Sequence, residues 1–183
     1  MSESDMSEII SSCGKHRVWI ALCWYAGIRR MEAYNLVWED IVWDKNRLVI
    51  QNQDGLVTSK SKRREVRIEP PLMVILLDEF DNTSSDRVVG RITKNAKVNT
   101  TLRRVSRSLG HDADGMTVQA LRRCRDTIWH QVYPAYVCAA WLGHTEQVAM
   151  KHYLSVPESL YDSSPTMPSD DTKSLAKEDC SCR

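Results

Sequence analysis

Ala26-Gly27-Ile28-Arg29-Arg30-Met31-Glu32 follows directly on one of the longest apolar stretches of the chain, Val18 to Ala26, and the junction between the two organises the reading of the rest. Residues 15–28 are expected to form a buried helix, with Trp19, Leu22, Cys23 and Ala26 at three- and four-residue spacing. Gly27 breaks that helix, and a second short one is expected from about Met31 to Val37. An arginine just past a helix end ordinarily neutralises the negative end of the helix dipole, which is the plain reading of Arg29. Two later segments also carry polar groups that their own helices do not need. They are Gln119-Ala120-Leu121-Arg122-Arg123 and Trp141-Leu142-Gly143-His144, and Tyr153 stands nine residues after His144. A basic run, Ser59-Lys60-Ser61-Lys62-Arg63-Arg64, lies between the first segment and the second.

Working outward, Ile41–Trp43 and Leu48–Gln51 read as short β runs about a turn at Asp44-Lys45-Asn46. A second pair, Leu56–Thr58 and Glu65–Ile68, flanks the basic run. Pro70-Pro71 ends the last of these and suits a helix start, with Leu72, Ile75, Leu76 and Phe80 along one face. Residues 82–91 read as a loop. Helical patterns resume at 96–109, 117–130, 135–142 and 145–153, with a break at Gly143 and Thr145 as an N-cap. The expected fold is therefore mainly α, with a small three-stranded antiparallel sheet. The expected organisation is a flexible segment over 1–14, one folded domain over 15–157 and an acidic, disordered tail over 158–183.

The totals bound the function. A chain of 183 residues supplies one core of ordinary size. With 42% hydrophobic and 27% charged residues it reads as a water-soluble domain. Val18–Ala26 is about half the length that a membrane span needs, and Met1-Ser2-Glu3-Ser4-Asp5 has no apolar core of a secretory signal. The six cysteines are then expected as thiols; Cys180 and Cys182 have no second pair to complete a zinc site. The net charge of +1 conceals an asymmetry: residues 15–157 hold 22 basic and 15 acidic residues, a net of +7, between acidic ends. Such a body suits a polyanionic partner, although a basic face can also be merely solvated.

Taken in order, these segments resemble the tyrosine recombinase (phage integrase) signature. It comprises a G-[LI]-R-x-x-E block, a hairpin lysine, an H-x-x-R block and an L-G-H block with the nucleophilic tyrosine nine residues on. Each block alone is common; the joint order is specific, and the likeness covers roughly residues 15–157. The resemblance implies a catalytic set of Arg29, Lys60, Gln119, Arg122, His144 and Tyr153, with Glu32 as a buried acid supporting its neighbours. Lys62, Arg63, Arg64 and Arg123 are the expected DNA contacts. Lys60 is preferred to Lys62 because the family lysine precedes its strand element by about eight residues, and Val66-Arg67-Ile68 matches that element apart from its proline.

The chemistry agrees with that assignment. Breaking a phosphodiester with a protein nucleophile needs charge stabilisation on the phosphoryl oxygens and an acid for the leaving oxygen. Two guanidinium forks, Arg29 and Arg122, match those oxygens in a way lysine cannot, and His144 adds a donor. Tyr153, ordinarily of pKa about 10, would ionise more easily beside such cations. No cofactor, metal or ATP is expected. The implied partners are double-stranded DNA and further copies of the chain, a tetramer on DNA, with no membrane, in the cytoplasm on the nucleoid. Gln119 departs from the family histidine and cannot titrate; Arg123 stands where histidine is common. Family members also carry a helical core-binding domain in front, whereas about 14 residues precede the first catalytic-domain helix here, so weak and salt-dependent DNA affinity is expected. Two other readings stand beside this one: a DNA-binding remnant impaired in catalysis, and a helical protein-interaction module. In them Arg122, Arg123 and Arg125 are a solvated helix face and Tyr153 an ordinary core tyrosine.

Overall fold

The computed structural model describes residues 2–51 and 63–143, all within one compact unit that runs from Met1 to Ala149. Its centre is α2 (Arg17–Tyr25), in which every residue after Arg17 is buried. A helix apolar all round must be enclosed on all sides. Packed against α2 are α1 (Glu3–Ser12), α3 (Arg30–Asn35), α4 (Pro70–Asn82), α5 (Val98–Ser108) and α6 (Val118–His130). The last described helix, α7 (Ala135–Leu142), rests on α6 and on the sheet.

The sheet holds β1 (Ile41–Val42), β2 (Arg47–Ile50) and β3 (Arg64–Arg67) in the order β1-β2-β3, antiparallel throughout. Asn46 turns β1 into β2 with a left-handed backbone, φ 52°, which asparagine tolerates better than most residues. Leu48 pairs with Val66 and Ile50 with Arg64, so the inward face of β3 carries Arg64 and Val66 while Glu65 and Arg67 point out. The expected three-stranded sheet in a mainly helical domain is what the chain forms. Leu56–Thr58 and residues 145–153 lie outside the described residues, as does the tail 158–183.

One expectation is corrected. The segment 1–14, expected to be flexible, contains α1. Ser2 caps it through the Asp5 N–H, and the Asp5 carboxylate returns to the Ser2 N–H at 2.8 Å. This reciprocal pairing satisfies two of the donors that a helix start leaves open. Met6, Ile9 and Ile10 are fully buried against α2 and α5, so the acids occupy only the outer face. Two element ends also differ slightly: α2 begins after a 3₁₀ turn at Gly14–His16, and residues 43–45 form another such turn rather than strand. Phe80, expected on the buried face of α4, is half exposed and packs edge-on against Trp38 and Trp43 at 5.1 and 5.6 Å.

Candidate functional site

The last carbonyls of any helix have no partner within the helix. At the end of α7 three consecutive ones are taken by arginines from three other elements. Arg64 Nε on β3 donates to Trp141 O at 2.8 Å, Arg122 Nη2 on α6 to Leu142 O at 2.5 Å, and Arg29 Nη2 ahead of α3 to Gly143 O at 3.0 Å. The negative end of a helix dipole favours such cations. Arg122 Nη1 also donates to Gly27 O, so one guanidinium ties together the Gly27 and Gly143 segments that the sequence singles out. The plain reading of Arg29 as a helix-end cation is correct in kind, but the helix is α7 and not α2.

Glu32 completes the cluster. Its carboxylate accepts both Nη groups of Arg64, at 3.0 and 2.7 Å, as well as Arg29 Nη1 at 2.9 Å and the Arg29 backbone N–H at 2.7 Å. Burial alone would raise this carboxyl, but the hydrogen bonds and charge of Arg64 and Arg29 outweigh it and hold Glu32 at about 2. Arg122, only 6% exposed, donates to two backbone carbonyls, with the carboxylates of Glu32 and Asp126 near enough to act on its charge. Burial, then the neighbouring Arg29 charge, pull it down to about 10, still charged at neutral pH. Arg29 and Arg64 thus share the Glu32 carboxylate while Arg122 rests on carbonyl dipoles, and among the described residues the three arginines outnumber the carboxylates around them. The cluster opens to solvent at Arg29, whose side chain is 33% exposed.

Both motif glycines are required sterically. Gly143 has φ 67°, and a Cβ there would lie 2.9 Å from Arg64 Cδ and 3.0 Å from its Nε. Gly27 has φ 58°, and a Cβ would lie 2.9 Å from Leu142 Cδ2. In each case an L side chain would be strained and would also push the α7 end away from the arginines. Behind the cluster, Trp141 packs edge-on against Trp129 at 5.1 Å and Tyr133 at 5.0 Å, which fixes the end of α7 from its other side.

Of the residues expected from sequence, Arg29, Glu32 and Arg122 come together. Gln119, one turn before Arg122, is exposed, as are Arg63 and Arg123. Arg64 is corrected: expected as a DNA contact, it is 8% exposed with its fork filled by Glu32, so it belongs to the interior of the cluster. Lys60, Lys62, His144 and Tyr153 lie outside the described residues. The alternative reading of Arg122, Arg123 and Arg125 as a solvated helix face holds only for Arg123: Arg125, 4% exposed, donates to Trp24 O at 2.8 Å and stacks over Trp24 and Tyr25. Sequence reasoning passed over the stretch 87–110, through α5, which holds seven basic residues and no acid; counting charge in windows would have found it. Within it Arg91, Lys94, Lys97, Arg104 and Arg107 are exposed. Arg30 braces this stretch by donating to Lys94 O at 2.8 Å and Ala96 O at 3.0 Å.

No family model matches this sequence, and no curated protein matches it closely enough to count. Solved structures do match. XerA recombinase is similar over 88% of this chain and 60% of its own, with a TM-score of 0.68 and 17% identity. The Tn1549 transposon integrase in complex with circular intermediate DNA is similar over 87% and 62%, with a TM-score of 0.70 and 13% identity. A lambda integrase dimer bound to a core site is similar over 92% and 50%, with a TM-score of 0.61 and 12% identity. The chain spans 50–62% of the length of these proteins. Its fold is that of the tyrosine recombinase catalytic domain.

Proposed function

We propose that this chain breaks and rejoins DNA strands at specific sites through a 3′-phosphotyrosine intermediate, as an integrase of a mobile element. The observation that carries the reading is the meeting of Arg29 and Arg122 at Leu142 O and Gly143 O, one residue ahead of His144 in the chain. Two cations far apart in sequence converge where, among the described residues, arginines outnumber carboxylates, and a phosphodiester supplies a further anion. In this reading Arg29 and Arg122 hold the non-bridging oxygens, and His144 and Gln119 add hydrogen bonds. The Tyr153 phenol gives up its proton and its oxygen attacks phosphorus in line. The P–O5′ bond breaks as the Tyr153–phosphate bond forms, and Lys60 protonates the departing 5′ oxygen. The ester keeps the bond energy, so attack by a 5′-hydroxyl of another strand reverses the step without ATP. The exposed bases on α5 and its approach supply backbone contacts. Solved neighbours add support at the level of the fold: the XerH, Tn1549 and lambda structures are DNA complexes. Assembly as a tetramer on DNA belongs to the same proposal.

A second reading is DNA binding without cleavage. It is favoured by the commitment of both Arg122 Nη groups to backbone carbonyls and by Gln119 in the histidine position. A pool of nicked duplexes with randomised sequence separates the two. Strand transfer predicts an SDS-stable adduct joined through a 3′-phosphate and abolished by Tyr153→Phe. Binding at low salt with no adduct from any duplex supports the second reading. No binding even at low salt leaves the protein-interaction module.

A further inference from the structure

We propose that Arg64 is a positioning residue of this site, gripping Glu32 and the end of α7 so that Arg29 is presented to the anion in one orientation. The inference rests on the strand-transfer reading for the identity of the anion and for the cleavage readout; the placement of Arg29 stands on its own. The alternation of β3 turns Arg64 to the side of Val66, into the interior. There its head is used on all sides: Nη1 and Nη2 on the two oxygens of Glu32, Nε on Trp141 O. The two groups that hold the Arg29 head are Glu32 Oε1 and Gly143 O. Both depend on Arg64. It fixes the first directly, and it fixes the second by anchoring the carbonyl two residues earlier and by filling the space where a Gly143 Cβ would be. Arg64 therefore determines both ends of the bracket around Arg29 without lying on the exposed rim. Lysine could keep the charge but not the planar fork, which is the basis of the test.

The experiment compares the full chain with Arg64→Lys and, as a control on the outward side of the same strand, Glu65→Gln. Nitrogen and amide proton resonances of Arg29 and Gly143 are recorded at a temperature where circular dichroism shows every variant fully folded. Arg64→Lys is expected to shift or broaden both sets and to speed Gly143 amide exchange, while Glu65→Gln leaves them in place. On a nicked duplex that the wild type cleaves, Arg64→Lys should lower the single-turnover cleavage rate roughly tenfold to a hundredfold, with Kd for the duplex nearly unchanged. A merely structural Arg64 would move Tm but not that rate in the folded protein. Unchanged Arg29 and Gly143 resonances, or cleavage at the wild-type rate, would overturn the inference. If the wild type cleaves nothing, strand transfer fails while the resonances still decide whether Arg64 positions Arg29.

Discussion

Arg29, Arg64 and Arg122 at the end of α7 carry the same charge as Lys97 and Arg104 along α5, yet the two groups live by different physics. The first set is held by named partners at 2.5–3.0 Å, and two of the three are buried. The second set is exposed, with Arg104 inside α5 and Lys97 at the N-cap position just before it. In the first set Arg29 and Arg64 share Glu32, and all three guanidinium groups grip adjacent carbonyls at the end of α7, so geometry carries the effect and one change propagates. In the exposed set water screens each charge, so number matters more than orientation. The difference separates charges whose effect depends on orientation from charges whose effect depends on number.

The strongest way to break the buried set is Glu32→Gln. An isosteric amide leaves Arg64 buried without its counter-charge, and removing one partner of such a pair costs about 3–5 kcal/mol. For a domain of this size that is a fall in Tm of roughly 10 °C at pH 7. The effect should depend on pH with a definite sign. The folded carboxyl sits at about 2 against an ordinary 4.5, so the folded state binds fewer protons than the unfolded chain. Its contribution, about 3 kcal/mol, is complete above 4.5 and is lost as pH falls toward 2. The stability gap between wild type and Glu32→Gln, from urea unfolding at several pH values, should therefore be widest at neutral pH and narrow below 4.5. A gap that stays constant with pH would show that the carboxylate charge is not what holds Arg64.

A smaller but sharper probe is Gly143→Ala. The left-handed backbone at φ 67° costs alanine about 1–2 kcal/mol, and the new methyl would displace Arg64, pinned at its far end by Glu32. A loss of roughly 2 kcal/mol or more is expected by denaturant titration, larger than for alanine at Gly110, which also has positive φ but nothing within 4 Å. Equal losses at the two glycines would mean that the close approach of Arg64 contributes nothing.

How much of this was legible in the sequence depended on whether the signal was local. The Gly27 break, Arg29, Glu32 and Arg122 could be read because helix periodicity and a fixed order of blocks pointed to them. Arg64 was legible and misread. Val66 and Ile68 are core residues on a two-residue period, which places Arg64 inward, but the surrounding Lys60, Lys62 and Arg63 drew it into a solvated basic run. The helix α1 was misread as well. It was expected as a flexible segment, while Met6, Ile9 and Ile10 already had helical spacing behind a Ser2–Asp5 capping pair. The carbonyls that the arginines grip could not be found in this way, since a backbone group leaves no mark on residue choice except the glycine beside it.

The exposed set gives the smallest effect and the cleanest contrast. Lys97→Gln combined with Arg104→Gln removes two charges that touch no part of the cluster around Glu32, so folding stability should stay within about 0.5 kcal/mol. DNA affinity should fall most at low salt. Each lost phosphate contact lowers the slope of log K against log salt by about 0.9, so the pair should flatten it by up to roughly 2. Cleavage from the saturated complex should proceed at the wild-type rate, because neither charge shares a partner with Arg29 or Arg122. The readout is a salt series of fluorescence anisotropy on one duplex, alongside single-turnover cleavage. An unchanged slope would remove α5 from the DNA surface. A slowed chemical step at saturation would instead mean that the two sets of cations are coupled, and that the division between orienting and attracting charges does not hold in this molecule.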